Sequence, residues 1–285
     1  MTYPATPHAK PGSAPIRRTY IDSREGQIHL RMAGDPNSKK RPMICFHLSP
    51  SSGIVYDTWL GEMGKDRLIV APDTPGYGMS DFPSEQPTIA TFAKAMTDVI
   101  DALNIKEADV MGYHTGSKTC VELAQQQPDR IKHLVLISTP IYTAEDLVKQ
   151  NDEMGSPDTP VADGTHLLHS WAGLWRWRGP EHTPADIMHA FPDHIKGGER
   201  KHWGHAAAFS YTYPENIPAV KQPILIINTN DDLVKYTRRI APHLTNGKII
   251  ELMDWGHGFL DYHPEETSAF VRPFLDSDAW PDAAK

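Results

Sequence analysis

Residues Val110-Met111-Gly112-Tyr113-His114-Thr115-Gly116-Ser117 decide the reading of this chain. The apolar run ADVMGY (108–113) reads as a strand, and SKTCVELAQQ (117–126) reads as a helix ended by Pro128-Asp129. Only a sharp turn joins them, with Gly112 and Gly116 on either side of His114. Such a turn needs small flanking residues, because its central backbone is strained and the helix packs close to the strand. It pushes the central side chain out above the sheet and aims the next backbone N–H, that of Thr115, at the same spot. The helix N-terminus adds a partial positive charge there.

Outward from this turn, strand-like and helix-like segments alternate. RTYIDS (18–23) and QIHLRMAG (27–34) form an opening hairpin, and PMICFH (42–47) and RLIVAPD (67–73) are short apolar runs of the kind buried parallel strands need. Ile89, Phe92, Ala93, Met96, Val99, Ile100 and Leu103 recur at helical spacing behind a Thr88 N-cap. HLVLIS (133–138) is a strand. After residue 139 the regular pattern lapses until PILIIN (223–228), a helix near TRRIAPHL (237–244), the strand KIIELM (248–253) and a last helix near PEETSAFVRPFL (264–275). Alternation of this kind predicts an α/β fold, a mostly parallel sheet with helices on both faces. We divide the chain into a loose Pro-rich arm over residues 1–17, a core over 18–139 and 219–285, and an inserted lid over 140–218.

The formal charge of −8 argues against nucleic acid or anionic membrane as a partner. No apolar run reaches the roughly 18 residues of a membrane span, and the arm lacks the apolar centre of a signal peptide. Cys45 and Cys120 sit in apolar runs and read as reduced core residues, so a cytoplasmic location is expected. A small-molecule substrate is the expected partner, and a homodimer is compatible with the composition.

Five segments now fall in a familiar order: His47-Leu48-Ser49-Pro50 after the third strand, Ala71 to Asp81 after the fourth, the turn at His114, Asn228-Thr229-Asn230-Asp231 after the penultimate strand, and Gly256-His257 after the last. In this the chain resembles the α/β-hydrolase superfamily, in the lid-bearing branch that includes epoxide hydrolases, haloalkane dehalogenases and C–C bond hydrolases. The resemblance runs from about Thr19 to about Leu275 and implies an eight-stranded sheet. It also implies that Asp231 and His257 are the acid and histidine of a triad, with Asp232 the second candidate for the acid, and that the backbone N–H groups of Ser49 and Thr115 form an oxyanion hole. Two positions depart from the pattern. His114 stands where the superfamily has its nucleophile, and Leu48 stands where it has glycine.

Imidazole at the turn leaves several chemistries open. It can attack a carbonyl and form an acyl-imidazole. It can act with His257 as an acid–base pair for proton transfer, cleavage, elimination or cofactor-free attack by oxygen. A metal held by His114, His257 and a third ligand is disfavoured because no ligand spacing marks it. The first expectation is hydrolysis of an ester, lactone or activated C–C bond in a small-to-medium apolar or aromatic carbonyl compound, without cofactor or metal. The alternatives are a lyase, a cofactor-free oxygenase and a ligand-binding receptor. Ser49, Ser51, Ser52, Thr115 and Ser117 lie near the expected pocket, but none is at the apex. In the lid, Trp171 and Trp175 belong to an apolar stripe expected to roof the pocket. With Leu48 and Tyr113 they are the candidate substrate contacts. The lid histidines read as solvated surface.

Overall fold

The computed structural model describes residues 10–157 and 159–281. Its centre is an eight-stranded sheet: β1 (Arg17–Ser23), β2 (Gly26–Ala33), β3 (Met43–Phe46), β4 (Ile69–Pro72), β5 (Ala108–Tyr113), β6 (Ile131–Ile137), β7 (Ile224–Thr229) and β8 (Gly247–Leu252). The order across the sheet is β1-β2-β4-β3-β5-β6-β7-β8. β2 runs antiparallel to both neighbours and the remaining pairs are parallel. The opening hairpin closes on the pair Ser23↔Gly26.

Helices cover both faces. The core helices are α1 (Asp57–Met63), α2 (Ile89–Ala102) and α3 (Thr115–Gln126). The segment between β6 and β7 contributes α4 (Ala144–Met154), α5 (Thr165–Trp177), α6 (Pro184–Ile195), α7 (Trp203–Phe209) and α8 (Tyr213–Asn216). The chain ends with α9 (Val234–Thr237), α10 (Phe259–Tyr262) and α11 (Pro264–Ser277). Because strand side chains alternate, Ile44, Phe46 and Val110 pack under α2 and α3, while Met43, Cys45 and Met111 pack under α1, α10 and α11. This two-sided burial is why the central strands read as continuous apolar runs. Cys45 and Cys120 are buried and unpaired. Thr88 caps α2 as expected, accepting from the Thr91 N–H at 3.1 Å.

Two expectations change. The predicted helix near TRRIAPHL is only the short α9 followed by a 3₁₀ turn over Arg238–His243, where Pro242 withholds a backbone donor. Of the predicted loose arm, residues 1–9 lie outside the described residues. Beyond them the chain is docked: Ala14 N–H donates to Gly61 O at 2.8 Å, Lys10 pairs with Glu265 at 2.8 Å, and Ile16 packs under the sheet.

The segment between β6 and β7 is tied to the rest of the chain at several points. Gly179 N–H donates to His257 O at 2.8 Å, and Arg178 bridges to the same residue. Tyr77 Oη donates to Lys201 O at 3.0 Å and accepts from Gly204 N–H at 2.5 Å. Gly204 has no room for a side chain, since a Cβ there would lie 2.1 Å from Ser49 Oγ. α7 therefore sits directly on the loop after β3.

Candidate active site

At the end of β5 the backbone turns through His114 with φ 49° and ψ −107°. That is a conformation L-residues avoid, and it persists only where its surroundings hold it. They do so here. His114 N–H donates to Ile137 O at 3.0 Å, Ser117 N–H donates to His114 O at 3.0 Å, and Ser117 Oγ is shared between Gly112 O at 2.8 Å and Ile137 O at 3.0 Å. A Cβ on Gly112 would come within 2.3 Å of the Gly116 backbone, and one on Gly116 within 1.9 Å of Phe46 O. Both glycines are thus required by backbone contact, and the Ser117 hydroxyl braces the turn and is not free to attack.

The turn brings His114 beside His257, with ring centroids 5.0 Å apart. Each ring has its own aspartate, and the pairing differs from the expected one. Asp231 Oδ2 faces His114 Nε2 at 3.2 Å, while Asp232 Oδ1 faces His257 Nε2 at 2.9 Å. Asp231 is 4% exposed and also accepts from Ser138 Oγ at 2.5 Å, Thr229 Oγ1 at 3.1 Å and Leu233 N–H at 2.8 Å. Both oxygens are engaged, which fixes the carboxylate. His114 Nε2–H is then the donor to Asp231. Its other nitrogen, Nδ1, has no hydrogen-bond partner among the described residues, and the ring lines a cavity. His257 Nδ1 meets Tyr113 Oη at 3.2 Å, so both of its nitrogens are occupied.

Electrostatics follow from this pairing. Burial favours the neutral acid for Asp231, but the hydrogen bond from His114, the two imidazoles and Ser138 hold it well below the usual carboxylate range. Asp232 is likewise lowered: burial opposes ionisation, while the His257 hydrogen bond and both rings outweigh it. Burial works against charge on His257, yet the hydrogen bond to Asp232 and the field of both aspartates raise its pKa.

The cavity over His114 is small, ≈ 40 Å³. Ser49 and Thr115, the expected oxyanion pair, line it together with Lys118, Tyr142, His205, Phe209 and Asp232. Of the four candidate substrate contacts, none lines it. Leu48 packs into the core under the sheet, and Tyr113 is spent on His257. Trp171 packs on Phe191 of α6 with centroids 5.5 Å apart, and Trp175 carries the Arg178 guanidinium at 3.5 Å. Trp171 and Trp175 are half-buried within the α5–α6 region, and α4 and α7 form the roof instead. His205 of α7 departs from the expectation that the lid histidines are solvated. It faces the cavity, where burial and the neighbouring His114 push its pKa down to about 4, so it stays neutral.

A family model described as alpha/beta hydrolase fold matches residues 55–264. The chain belongs to this family. It is similar to a poly(3-hydroxyalkanoate) depolymerase of Ectopseudomonas oleovorans, 26% identical over 249 residues, covering 83% of this chain and 85% of that protein. Among solved structures it is similar to the enol-lactonase of Burkholderia xenovorans LB400, with TM-score 0.76 and 21% identity over 90% of this chain and 99% of the other. It is similar also to the esterase RhEst1 of Rhodococcus sp. ECU1013, with TM-score 0.76 and 20% identity over 92% and 98%. At these identities the structures establish the fold alone.

The loops around the site are held by buried side-chain hydrogen bonds. His47 Nε2 accepts from Thr74 N–H at 2.9 Å and Nδ1 donates to Leu48 O at 2.7 Å, which ties the loops after β3 and β4 together. Asp73 accepts from Gly53 N–H at 2.7 Å, from Met79 N–H at 2.8 Å and from His29 at 2.8 Å. His47 is therefore a spacer and has no nitrogen left for a metal. His114, Asp231, Asp232 and His257 offer four donor atoms within 4.8 Å of one another. Imidazole and carboxylate are acceptable ligands for first-row divalent ions, so this set can take such an ion in place of its ring protons. No helix among the described residues is long and apolar enough to cross a membrane.

Proposed function

We propose that this chain hydrolyses the carbonyl–heteroatom bond of a small ester or lactone, with the Asp231–His114 pair as its catalytic centre and the 140–218 segment as a lid. One observation carries the reading. A buried, fully hydrogen-bonded carboxylate holds one nitrogen of His114 at 3.2 Å, and the other nitrogen has no partner among the described residues at the cavity wall. In a hydrolase triad that arrangement belongs to the general base. Here the base itself occupies the apex of the turn. His114 Nδ1 takes a proton from water as the water oxygen bonds to the carbonyl carbon. The oxyanion forms against the N–H groups of Ser49 and Thr115. On collapse, His114 returns the proton to the leaving oxygen as its bond to carbon breaks. Asp231 fixes the tautomer and offsets the transient imidazolium. His257, whose pKa the hydrogen bond to Asp232 raises, adds a positive field beside the developing negative charge when it is protonated.

The enol-lactonase and the esterase among the similar proteins support the substrate class, since both are named for ester-type bonds. The test is a panel of small lactones and aryl esters assayed with the wild type, His114→Ala and His114→Gln. Turnover should fall about 10²–10⁴-fold in both variants. Undiminished hydrolysis in His114→Ala would overturn the proposal. Acid-quenched single turnovers analysed by mass spectrometry separate water activation from direct attack, because an acyl group on His114 appears only in the second case.

A further inference from the structure

The chemistry proposed above leaves one charged group of the cavity without a task. Lys118 is 3% exposed and lies on α3 four residues after His114, on the same side of the helix. It lines the cavity over His114 and also a second, larger cavity of ≈ 120 Å³ bounded by Leu147 of α4, Tyr211, Tyr213 and Glu215. Pro140, Tyr142 and Phe209 line both cavities as well, so Lys118 stands in the partition between them. Its Nζ donates to Tyr211 O at 2.9 Å and lies 4.6 Å from the centroid of the Tyr213 ring. An ammonium carries three donors, and one carbonyl and one ring face do not satisfy them. Among the described residues no carboxylate comes within ion-pair distance. A buried cation without a counter-charge is costly, and such groups concentrate where a ligand supplies the missing charge.

We propose that Lys118 Nζ is an anion subsite, and that the substrate carries a carboxylate held at the partition while its scissile carbonyl lies over His114. The substrate class rests on the hydrolytic reading above, but the subsite can be measured without turnover. Burial alone pushes the Lys118 pKa down to about 7. The titratable groups facing it are few. Tyr142, Tyr211 and Tyr213 are all pushed up by burial and stay neutral, His205 stays neutral, Asp232 is ionised in the first cavity, and Glu215 in the second is exposed and accepts from Thr212 Oγ1 at 2.8 Å. His114 completes the set. A docking carboxylate therefore draws a proton onto Lys118 at pH 8, where the free lysine is mostly neutral.

The experiment is calorimetric titration of the dicarboxylates from malonate to suberate, each against its dimethyl ester, into wild type, His114→Ala and Lys118→Met. At least one dicarboxylate should bind the wild type and His114→Ala in preference to its diester. At pH 8, binding should take up a proton, seen as a dependence of the heat on the buffer's ionisation enthalpy. In Lys118→Met the preference for the acid should fall tenfold or more and the proton uptake should vanish. The proposal is overturned if Lys118→Met keeps the preference, if the wild type favours the diesters, or if no member of the series binds. Proton uptake that persists in His114→Ala cannot come from the His114 ring, so it decides the matter even if Lys118→Met fails to fold. Loss of hydrolysis in His114→Ala bears on the reaction, and these titrations bear on the subsite, so the two can fail independently.

Discussion

Asp231 holds His114 at 3.2 Å, although its place in the chain is that of the carboxylate which, in this fold, supports the histidine after the last strand. In the mechanism proposed above, the base therefore sits at the turn itself. His257 is served instead by Asp232, at 2.9 Å. Two aspartates adjacent in sequence support two imidazoles, and each can be removed separately. Asp231→Asn should lower kcat by about 10²–10⁴-fold with little change in KM, because it unfixes the base in the transition state. Asp232→Asn should cost less and act through pH. Equal losses with identical pH profiles in steady-state kinetics would show that the two carboxylates do not have separate roles.

The pH dependence has a definite sign. The folded-state pKa of His257 is raised against the burial that opposes it, mainly by Asp232 and then by Asp231. The stability this contributes is fully present below the unfolded value of about 6.5 and is lost as pH rises through the folded value. If the imidazolium assists the reaction, kcat also declines over the same rise. Asp232→Asn should move this alkaline limb to lower pH. A limb that stays in place in kcat–pH profiles of the variant would separate His257 from the reaction.

Lys118 makes an opposite prediction for stability. Its folded pKa is about 7 because burial disfavours the charged form, well under the unfolded value of about 10.4. The unfolded chain then binds more protons between these values, so this group's penalty on folding is largest below about pH 7 and fades toward pH 10. Lys118→Met should accordingly raise the melting temperature more at pH 6 than at pH 9. An equal shift at both pH values, read by thermal melts, would mean that the lysine keeps its charge in the folded state.

Gly116→Ala tests the turn itself. The added Cβ would lie 1.9 Å from Phe46 O, a backbone atom of the central strand β3 that cannot yield as a side chain would. Overpacking of this kind costs about 1–3 kcal/mol and occasionally more. Urea denaturation should place Gly116→Ala at the upper end of that range. A loss under about 0.5 kcal/mol, the scale of ordinary surface substitutions, would show that the strand can move away.

Much of this architecture is legible in the sequence because local chemistry dictates it. Gly112 and Gly116 meet backbone at distances no Cβ allows, and Ile44, Val110 and Ile226 sit in strands buried on both faces, so the period and the punctuation are written residue by residue. The partners of the two histidines are not legible. Asp231 and Asp232 are neighbours, and which of them turns toward which ring depends on the loop after β7, where Ser138 and Leu233 N–H anchor Asp231. The roof is hidden for a related reason. The Trp171 stripe is as apolar as a pocket lining, but its mate is Phe191 in the next helix, and nothing in the period says so. Lys118 leaves a usable signal in its position one turn after His114, on a helix whose first seven residues are all buried.

Restoring serine at the turn is the most informative change. His114→Ser recreates Gly-x-Ser-x-Gly between unchanged glycines, and the surrounding bonds from Ile137 O and Ser117 do not involve the histidine ring. The space left by the ring opens onto a polar cavity that water can fill. Asp231 would lose its imidazole, while Asp232 and Tyr113 would still hold both nitrogens of His257, at 2.9 and 3.2 Å. The variant should therefore lose the native reaction by about 10²–10⁴-fold, the usual cost of a positioned general base. A burst of acyl-enzyme from activated aryl esters is expected only if His257 swings away from Tyr113 toward the new hydroxyl at the turn. Tyr113→Phe frees Nδ1 of His257, so the double variant should burst more strongly than His114→Ser alone. Pre-steady-state kinetics with p-nitrophenyl esters reads both. A full burst in the single variant, unimproved by Tyr113→Phe, would mean that the Tyr113 contact does not hold His257 away from the turn.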